Sequence, residues 1–273
     1  MSVVVVGRSS FMAEEVRKKA PREWLFLSHK EAIENTAWAD KARCIINFAF
    51  DPKLRTEGYN EPGDIDSRLA RLIKNSSSHY IMLSSRMAYG PSVHADRGMR
   101  EGDPASPVNP YGNSKLKVEK SLLEILGAER LTVLRMSNVF GFEPGRRSFL
   151  GMAQTRLAEE GKIVYDMSPL VSRDFIPVWR VADALFKIAA APSPGVYNLG
   201  AGFGIQTGLI AEWLIEGYGA GELHVNKFSQ ADAFWLDMTK ARRTFGLEAF
   251  TVEDLRTDFL ECGRMLKSWK KAA

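Results

Sequence analysis

The sequence predicts an α/β fold: a Rossmann-type, doubly wound parallel sheet with a small, discontinuous C-terminal substrate-binding lobe. Three observations carry this. Short uninterrupted apolar runs recur through the first half, stretches of helical period separate them, and the first run ends in a glycine turn that opens a helix. A strand buried on both faces has no need to alternate apolar with polar residues, so continuous runs indicate a parallel sheet covered on both sides. Right-handed crossovers wind the helices onto both faces. The crevice then opens at the carboxyl ends of the strands, where strand order reverses.

The runs are VVVV (Val3 to Val6), WLFL (Trp24 to Leu27), CIINFA (Cys44 to Ala49), YIMLSS (Tyr80 to Ser85) and LTVLR (Leu131 to Arg135). Between them, Phe11 to Lys19, Ile65 to Lys74 and Gly112 to Leu126 read as helices. Beyond Gly141 the pattern loosens. RRSFLGMAQTRLAEEG is helix-like, KIVYD a short strand, RDFIPVWRVADALFKIAAAP the start of another helix and GVYNLGAG a strand and turn; the last stretch is mostly helical.

Composition narrows the function classes. Hydrophobic residues at 45% and charged residues at 26% of 273 suit a soluble globular protein with a sizeable core. The net charge of +4 favours an anionic small ligand, but the cations are scattered, so no nucleic-acid partner is expected. Cys44 and Cys262 lie far apart without metal-like spacing, and the four histidines are dispersed, which indicates neither disulfides nor a metal. MSVVVVGRSS has too short an apolar stretch for a signal peptide or membrane span, so a cytoplasmic protein is expected.

The first strand runs into GRSSFMAEEV, where Gly7, Ser10 and Ala13 stand at dinucleotide-turn spacing with Arg8, Ser9, Phe11 and Met12 among them. Such a turn aims backbone N–H groups and a helix N-terminus at a pyrophosphate. Gly7 suits the tight turn and Ala13 the helix–strand contact; a side chain at Ser10 crowds the phosphate. An ordinary strand-to-helix turn is the plainer alternative. The second strand ends in LSHKEA, where an NAD site places an acid against the ribose diol. Ser28, His29 and Lys30 occupy that stretch, with Arg8 nearby, which favours NADP(H) over NAD(H); an exposed helix start explains the same residues. Residues 1–145 are therefore expected to form the NADP-binding unit, its sheet completed by parts of 163–202, and 146–273 most of the second lobe.

YIMLSSRMAYG places Ser84 and Ser85 at a strand end, and NPYGNSK places Tyr111 and Lys115 one helical turn apart. A phenol near pKa 10 exchanges protons poorly at neutrality, and a lysine ammonium nearby favours the phenolate. A serine hydroxyl beside them orients a carbonyl or alcohol oxygen. An aromatic and a charge sharing a helical face is the competing explanation.

The ordered set VVVVGRSSFMA, IINFA, YIMLSSRMAYG, NPYGNSK, LRMSNVFG, RDFIPVWRVADAL and GVYNLGAG, spanning Val3 to Gly202, resembles the extended short-chain dehydrogenase/reductase family, in particular its nucleotide-sugar epimerases, dehydratases and ketoreductases. The resemblance implies a catalytic triad of Ser85, Tyr111 and Lys115, with Lys115 also holding the nicotinamide ribose. It implies cofactor contacts at Phe48 and Ala49, and substrate contacts at Arg86, Met87, Asn138 and Arg173. It also implies a homodimer through the helices Ile65–Lys74 and Gly112–Leu126. Asn138 capping a loop and Arg173 pairing with Asp174 are the structural alternatives.

Arg86 and Met87 replace the Asp-Glu of the dehydratases, which disfavours elimination. Met87 also stands where epimerase-reductases carry a Cys. Trp179 and Arg180 replace an acidic pair and are expected to make a crevice rim aromatic and basic. The expected function is NADPH-dependent reduction of a keto group, at C4, on a nucleotide-linked deoxy sugar. A 4-epimerase with bound NAD is the alternative. A non-catalytic NADP-binding sensor comes third, because it has no physical need for Ser85, Tyr111 and Lys115 together.

Overall fold

The computed structural model describes residues 2–94, 96–229 and 232–272. The first half runs β1 (Ser2–Val6), α1 (Phe11–Lys19), β2 (Leu25–Leu27), α2 (His29–Glu34), β3 (Ala42–Asn47), α3 (Lys53–Thr56), α4 (Ile65–Leu72), β4 (His79–Ser85), α5 (Pro110–Leu126) and β5 (Leu131–Met136). The second half runs β6 (Asn138–Phe140), α6 (Phe149–Glu160), β7 (Lys162–Tyr165), β8 (Ser172–Arg173), β9 (Phe175–Pro177), α7 (Val178–Ala190), β10 (Gly195–Leu199), β11 (Ile205–Gln206), α8 (Thr207–Tyr218), β12 (Glu222–Val225), α9 (Thr239–Phe245) and α10 (Val252–Ala272).

Six of these strands form one parallel sheet in the order β10-β5-β4-β3-β1-β2. The order reverses between β1 and β3, which is where an open α/β sheet leaves a crevice. The fold is the doubly wound α/β class that the apolar runs predict. Both faces are buried. Val3, Val5, Ile46 and Leu134 pack with Val16 of α1 and Val181, Leu185 and Ile188 of α7. Val4, Ile45, Tyr80, Met82 and Val133 pack with Leu69 and Ile73 beside Val118 and Leu122 of α5. A further core joins α6, α8 and α10 through Leu157, Ile210, Leu214, Leu255 and Phe259, with Phe140 stacked on Phe259 at 4.1 Å.

Element ends differ from the sequence reading for local reasons. Trp24 lies outside β2 and packs on Phe186 at 5.2 Å. Phe48 and Ala49 leave β3, because the Asn47 side chain takes the Ala49 N–H at 2.9 Å and turns the chain. Helix α5 starts at Pro110, two residues before the expected Gly112. Asn109 caps it by accepting from Gly112 N at 2.9 Å, and Pro110 fills the first turn, where its missing N–H costs nothing. Among the described residues no helix is long and apolar enough to cross a membrane.

Candidate active site

At the end of β1 the chain turns sharply. Gly7 has φ +86°, and a Cβ there would sit 2.6 Å from Ala49 N, so only glycine lets this turn meet the one after β3. Ser10 caps α1, its Oγ accepting from Ala13 N at 3.2 Å. The hydroxyl is engaged with its own helix. Ala13 is fully buried beneath. Together Gly7, Ser9, Ser10, His29, Phe48 and Ala49 line one cavity of about 480 Å³, along with Phe50 and Arg68. A cavity of that size, backed by a glycine turn and a capped helix start, fits part of a dinucleotide.

The end of β2 corrects the sequence reading. Ser28 caps α2 and shares a capping box with Glu31, whose carboxylate takes the Ser28 N–H at 2.7 Å. The same oxygen meets Arg8 Nη1 at 2.8 Å. The Ser28 N–H and hydroxyl, and then Arg8, hold the Glu31 carboxyl below its usual range. A carboxylate therefore does stand beside Arg8, delivered by the helix three residues later than expected. Lys30 points to Glu34 at 3.9 Å, and only His29 of the expected trio Ser28, His29 and Lys30 lines the cavity.

A second cavity of about 530 Å³ holds Ser85, Arg86, Met87, Tyr111, Asn138 and Met12. Ser85 ends β4, and its Oγ accepts from Met87 N at 3.2 Å, starting a single tight turn over Arg86–Ala88. Helix α5 lies directly against that turn: a Cβ on Gly112 would fall 2.2 Å from Met87 O. Gly112 thus permits the close approach that brings Tyr111 into the same crevice as Ser85. Lys115 is buried beneath rather than lining the crevice, donating to Leu83 O at 2.8 Å and lying 4.6 Å over the Phe50 ring. Phe50, which lines the first cavity, also meets Tyr111 edge-on at 5.5 Å.

The crevice is strongly basic. Arg55, Arg86, Arg146 and Arg147 line it against one carboxylate, Glu143. Burial raises Glu143, which binds Arg146 at 2.9 Å and Ser148 at 2.6 Å. Arg55 lies 4.9 Å over the Tyr111 ring. Arg86 stacks on Phe234 at 3.8 Å and pairs with Asp232; burial holds its guanidinium below its usual value.

The remaining expected site residues divide between the crevice and other parts of the fold. Arg173 does not pair with Asp174, and its buried Nε has no partner among the described residues. Asp174 instead accepts backbone N–H groups from Ala201, Gly202 and Leu236. Asn138 lines the crevice while its Nδ2 bonds Asp174 O at 3.1 Å. Phe11 lies under Arg146 at 4.4 Å. Trp179 and Arg180 do not rim the crevice. They face α10, where Trp179 donates to Asp258 at 3.0 Å and Arg180 reaches Asp254 at 3.8 Å.

A buried network that the sequence reading missed lies beneath Ser85 and Lys115. On α5, Glu119 lies one turn beyond Lys115, binds Arg135 of β5 at 2.7 Å and accepts from Ser84, the neighbour of Ser85. Arg135 stacks on Tyr89 at 4.4 Å, and Tyr89 donates to Asn198 at 2.7 Å. The signal for Glu119 was present, since Tyr111, Lys115 and Glu119 share one helical face by spacing. The signals for Arg135 and Tyr89 were not, because their partners are remote in sequence. Among the described residues no cluster of His, Cys, Asp or Glu is placed to hold a metal.

Residues 2–200 match the NAD dependent epimerase/dehydratase family. The chain belongs to that family of nicotinamide-dependent enzymes. It is 32% identical over 161 residues to a dTDP-6-deoxy-L-talose 4-dehydrogenase (NAD(P)(+)) of Kitasatospora kifunensis, covering 54% of this chain and 51% of that one. The chain thus spans about half the length of this curated relative. Among solved structures it resembles a dTDP-glucose 4,6-dehydratase of Bacillus anthracis in complex with NAD, with TM-score 0.81, 17% identity, and 100% and 99% of the two chains covered. It also resembles RMD from Pseudomonas aeruginosa complexed with NADPH, with TM-score 0.80, 19% identity, and coverage of 98% and 99%. At these identities the two structures establish the fold.

Proposed function

We propose that the protein reduces a keto group, at C4, of a nucleotide-linked deoxy sugar, with NADPH or NADH as the hydride source. The observation that carries this is the shared crevice of Ser85 and Tyr111, lined by Arg55, Arg86, Arg146 and Arg147. Guanidinium groups in that number suit the diphosphate of a nucleotide sugar. The 4-dehydrogenase among its relatives supports the position of reaction.

The residues divide the work as follows. Gly7, Ser9, Ser10, Phe48 and Ala49 would hold the dinucleotide, which supplies hydride to the keto carbon when bound. Ser85 orients the keto oxygen, and Tyr111 gives its phenolic proton to that oxygen as charge develops. Lys115, one helical turn beyond Tyr111 and anchored on Leu83 O, supplies a buried positive charge beneath the crevice. Glu143, tied to Arg146 and Ser148, is poorly placed to act as the acid or base of an elimination.

The test is nicotinamide absorbance with NADPH and NADH across dTDP-, GDP-, UDP- and CDP-linked 4-keto-6-deoxyhexoses. Cofactor consumption by the wild type is expected, with a loss of about 10²- to 10⁴-fold in Tyr111→Phe. Isomer interconversion with catalytic NAD and no net consumption would make the protein a 4-epimerase instead. A homodimer through α4 and α5 would have to use outward Leu123 and half-buried Leu116. Their inner stripes, Leu69, Ile73, Val118 and Leu122, already pack on the sheet. Sedimentation of a Leu123→Glu variant tests that contact.

A further inference from the structure

We propose that the cleft between α7 and the segment joining α9 to α10 is a second ligand site, which takes a small aromatic carboxylate or phosphate. The cleft encloses about 380 Å³, within the range of small-molecule sites. It shares no lining residue with the crevice or with the cavity beside Gly7. Trp179, Arg180 and Lys187 line it from α7, Leu199 from the end of β10, Arg242 from α9 and Phe250 from the segment after α9. The aromatic and basic pair that does not face the crevice thus opens on a cavity of its own.

Arg180 is short of acceptors. Its guanidinium lies 4.3 Å over Phe250 and 4.9 Å over Trp179, and stacking leaves the in-plane N–H groups still to be bonded. Nη1 reaches Ala249 O only at 3.5 Å, Nη2 reaches Asp254 only at 3.8 Å, and the buried Nε has no partner among the described residues. Arg242 repeats the pattern: Nη2 donates to Ala201 O at 2.8 Å, while its buried Nε is without a partner among the same residues. A buried N–H without an acceptor is costly, and two cations in this condition share one cleft. Of the two acids that line it, Asp183 is held by Lys19 at 3.0 Å and Glu248 is exposed.

An oxyanion supplies the missing acceptors, since a guanidinium takes a carboxylate or a phosphate through paired N–H groups. Arg180 is 21% exposed, so an anion entering the cleft can reach it. The remaining lining decides what carries the anion. Trp179, Phe186, Leu247 and Phe250 present rings and aliphatic groups, which favour a flat apolar body over a sugar.

The experiment is calorimetric titration of 2-naphthoate, 2-naphthyl phosphate and the neutral 2-naphthalenemethanol into the purified full chain. One anion should bind per chain, with the alcohol about tenfold weaker; the tighter of the two anions names the group the site prefers. Saturating NADPH should leave this binding unchanged. Arg180→Met keeps an apolar stem against the two rings, and should weaken the anion about tenfold while the alcohol binds as before. Thermal melts check that the variant folds, and the wild-type comparisons decide the matter if it does not. An alcohol that binds as tightly as the anions overturns the proposal, as does an Arg180→Met variant with wild-type affinity. Displacement of the anion by NADPH places it in the other cavity and overturns the proposal too, and so does a chain that binds neither anion.

Discussion

The ends of β1 and β4 serve the same edge of the sheet but are built by opposite means. At β1 the chain is shaped by backbone: Gly7 at φ +86°, a serine cap, and a close meeting with Ala49. At β4 the shape comes from charge held out of water, with Glu119, Arg135 and Ser84 bonded beneath Ser85. The first arrangement is local and tolerates small changes. The second depends on side chains from three elements and fails when one is removed. Sites fixed by a turn and sites fixed by a buried ion pair should therefore break differently.

The largest effect is expected at Glu119. Truncation in Glu119→Ala leaves Arg135 buried without its partner, at a cost of about 3–5 kcal/mol, measurable by urea denaturation. A stability within 1 kcal/mol of wild type would show that Arg135 finds water, and the contrast with β1 would collapse. Next comes Gly112→Ala, whose Cβ meets Met87 O at 2.2 Å. Overpacking there should cost about 1–3 kcal/mol and push Tyr111 from Ser85, so any remaining activity should fall more in kcat than in KM.

A control lies at the other end of β4. His79 is buried against the Thr132 hydroxyl at 2.7 Å, and burial pulls its pKa down to about 4. The folded value lies below the unfolded one, so the stability is present above the unfolded pKa and is lost as pH falls toward 4. Between pH 7 and 5 the loss should be about 2 kcal/mol, and His79→Gln should flatten that slope. An unchanged slope would mean that the acid sensitivity arises elsewhere. The smallest effect belongs to β1: Ser10→Ala should cost about 1 kcal/mol through the lost cap, read as a small drop in Tm.

This contrast also explains what the sequence could disclose. Gly7, Ser10, Ala13 and the Tyr111–Lys115 spacing are local patterns, so the strand runs and the crevice-lining pair Ser85 and Tyr111 were legible. Glu31 was passed over although it stood in LSHKEA, because its contact with Arg8 arises only when a capping box holds its carboxylate against Ser28. The Arg86–Asp232 and Trp179–Asp258 contacts join residues far apart in the chain, and no periodicity announces them. Trp179 and Arg180 were consequently assigned to a crevice they do not face.

Helix α5 carries Tyr111, Lys115 and Glu119 on one face and so works as a ruler with three marks. Each added residue rotates the marks beyond it by about 100°. Substitutions at the outward Asn113, Lys117 or Lys120 leave the ruler intact, whereas a single insertion between Tyr111 and Glu119 turns one end away from its partner. Change along this stretch is therefore confined to the lettering of the helix and excluded from its length, while the irregular stretch before Pro110 is under no such rule.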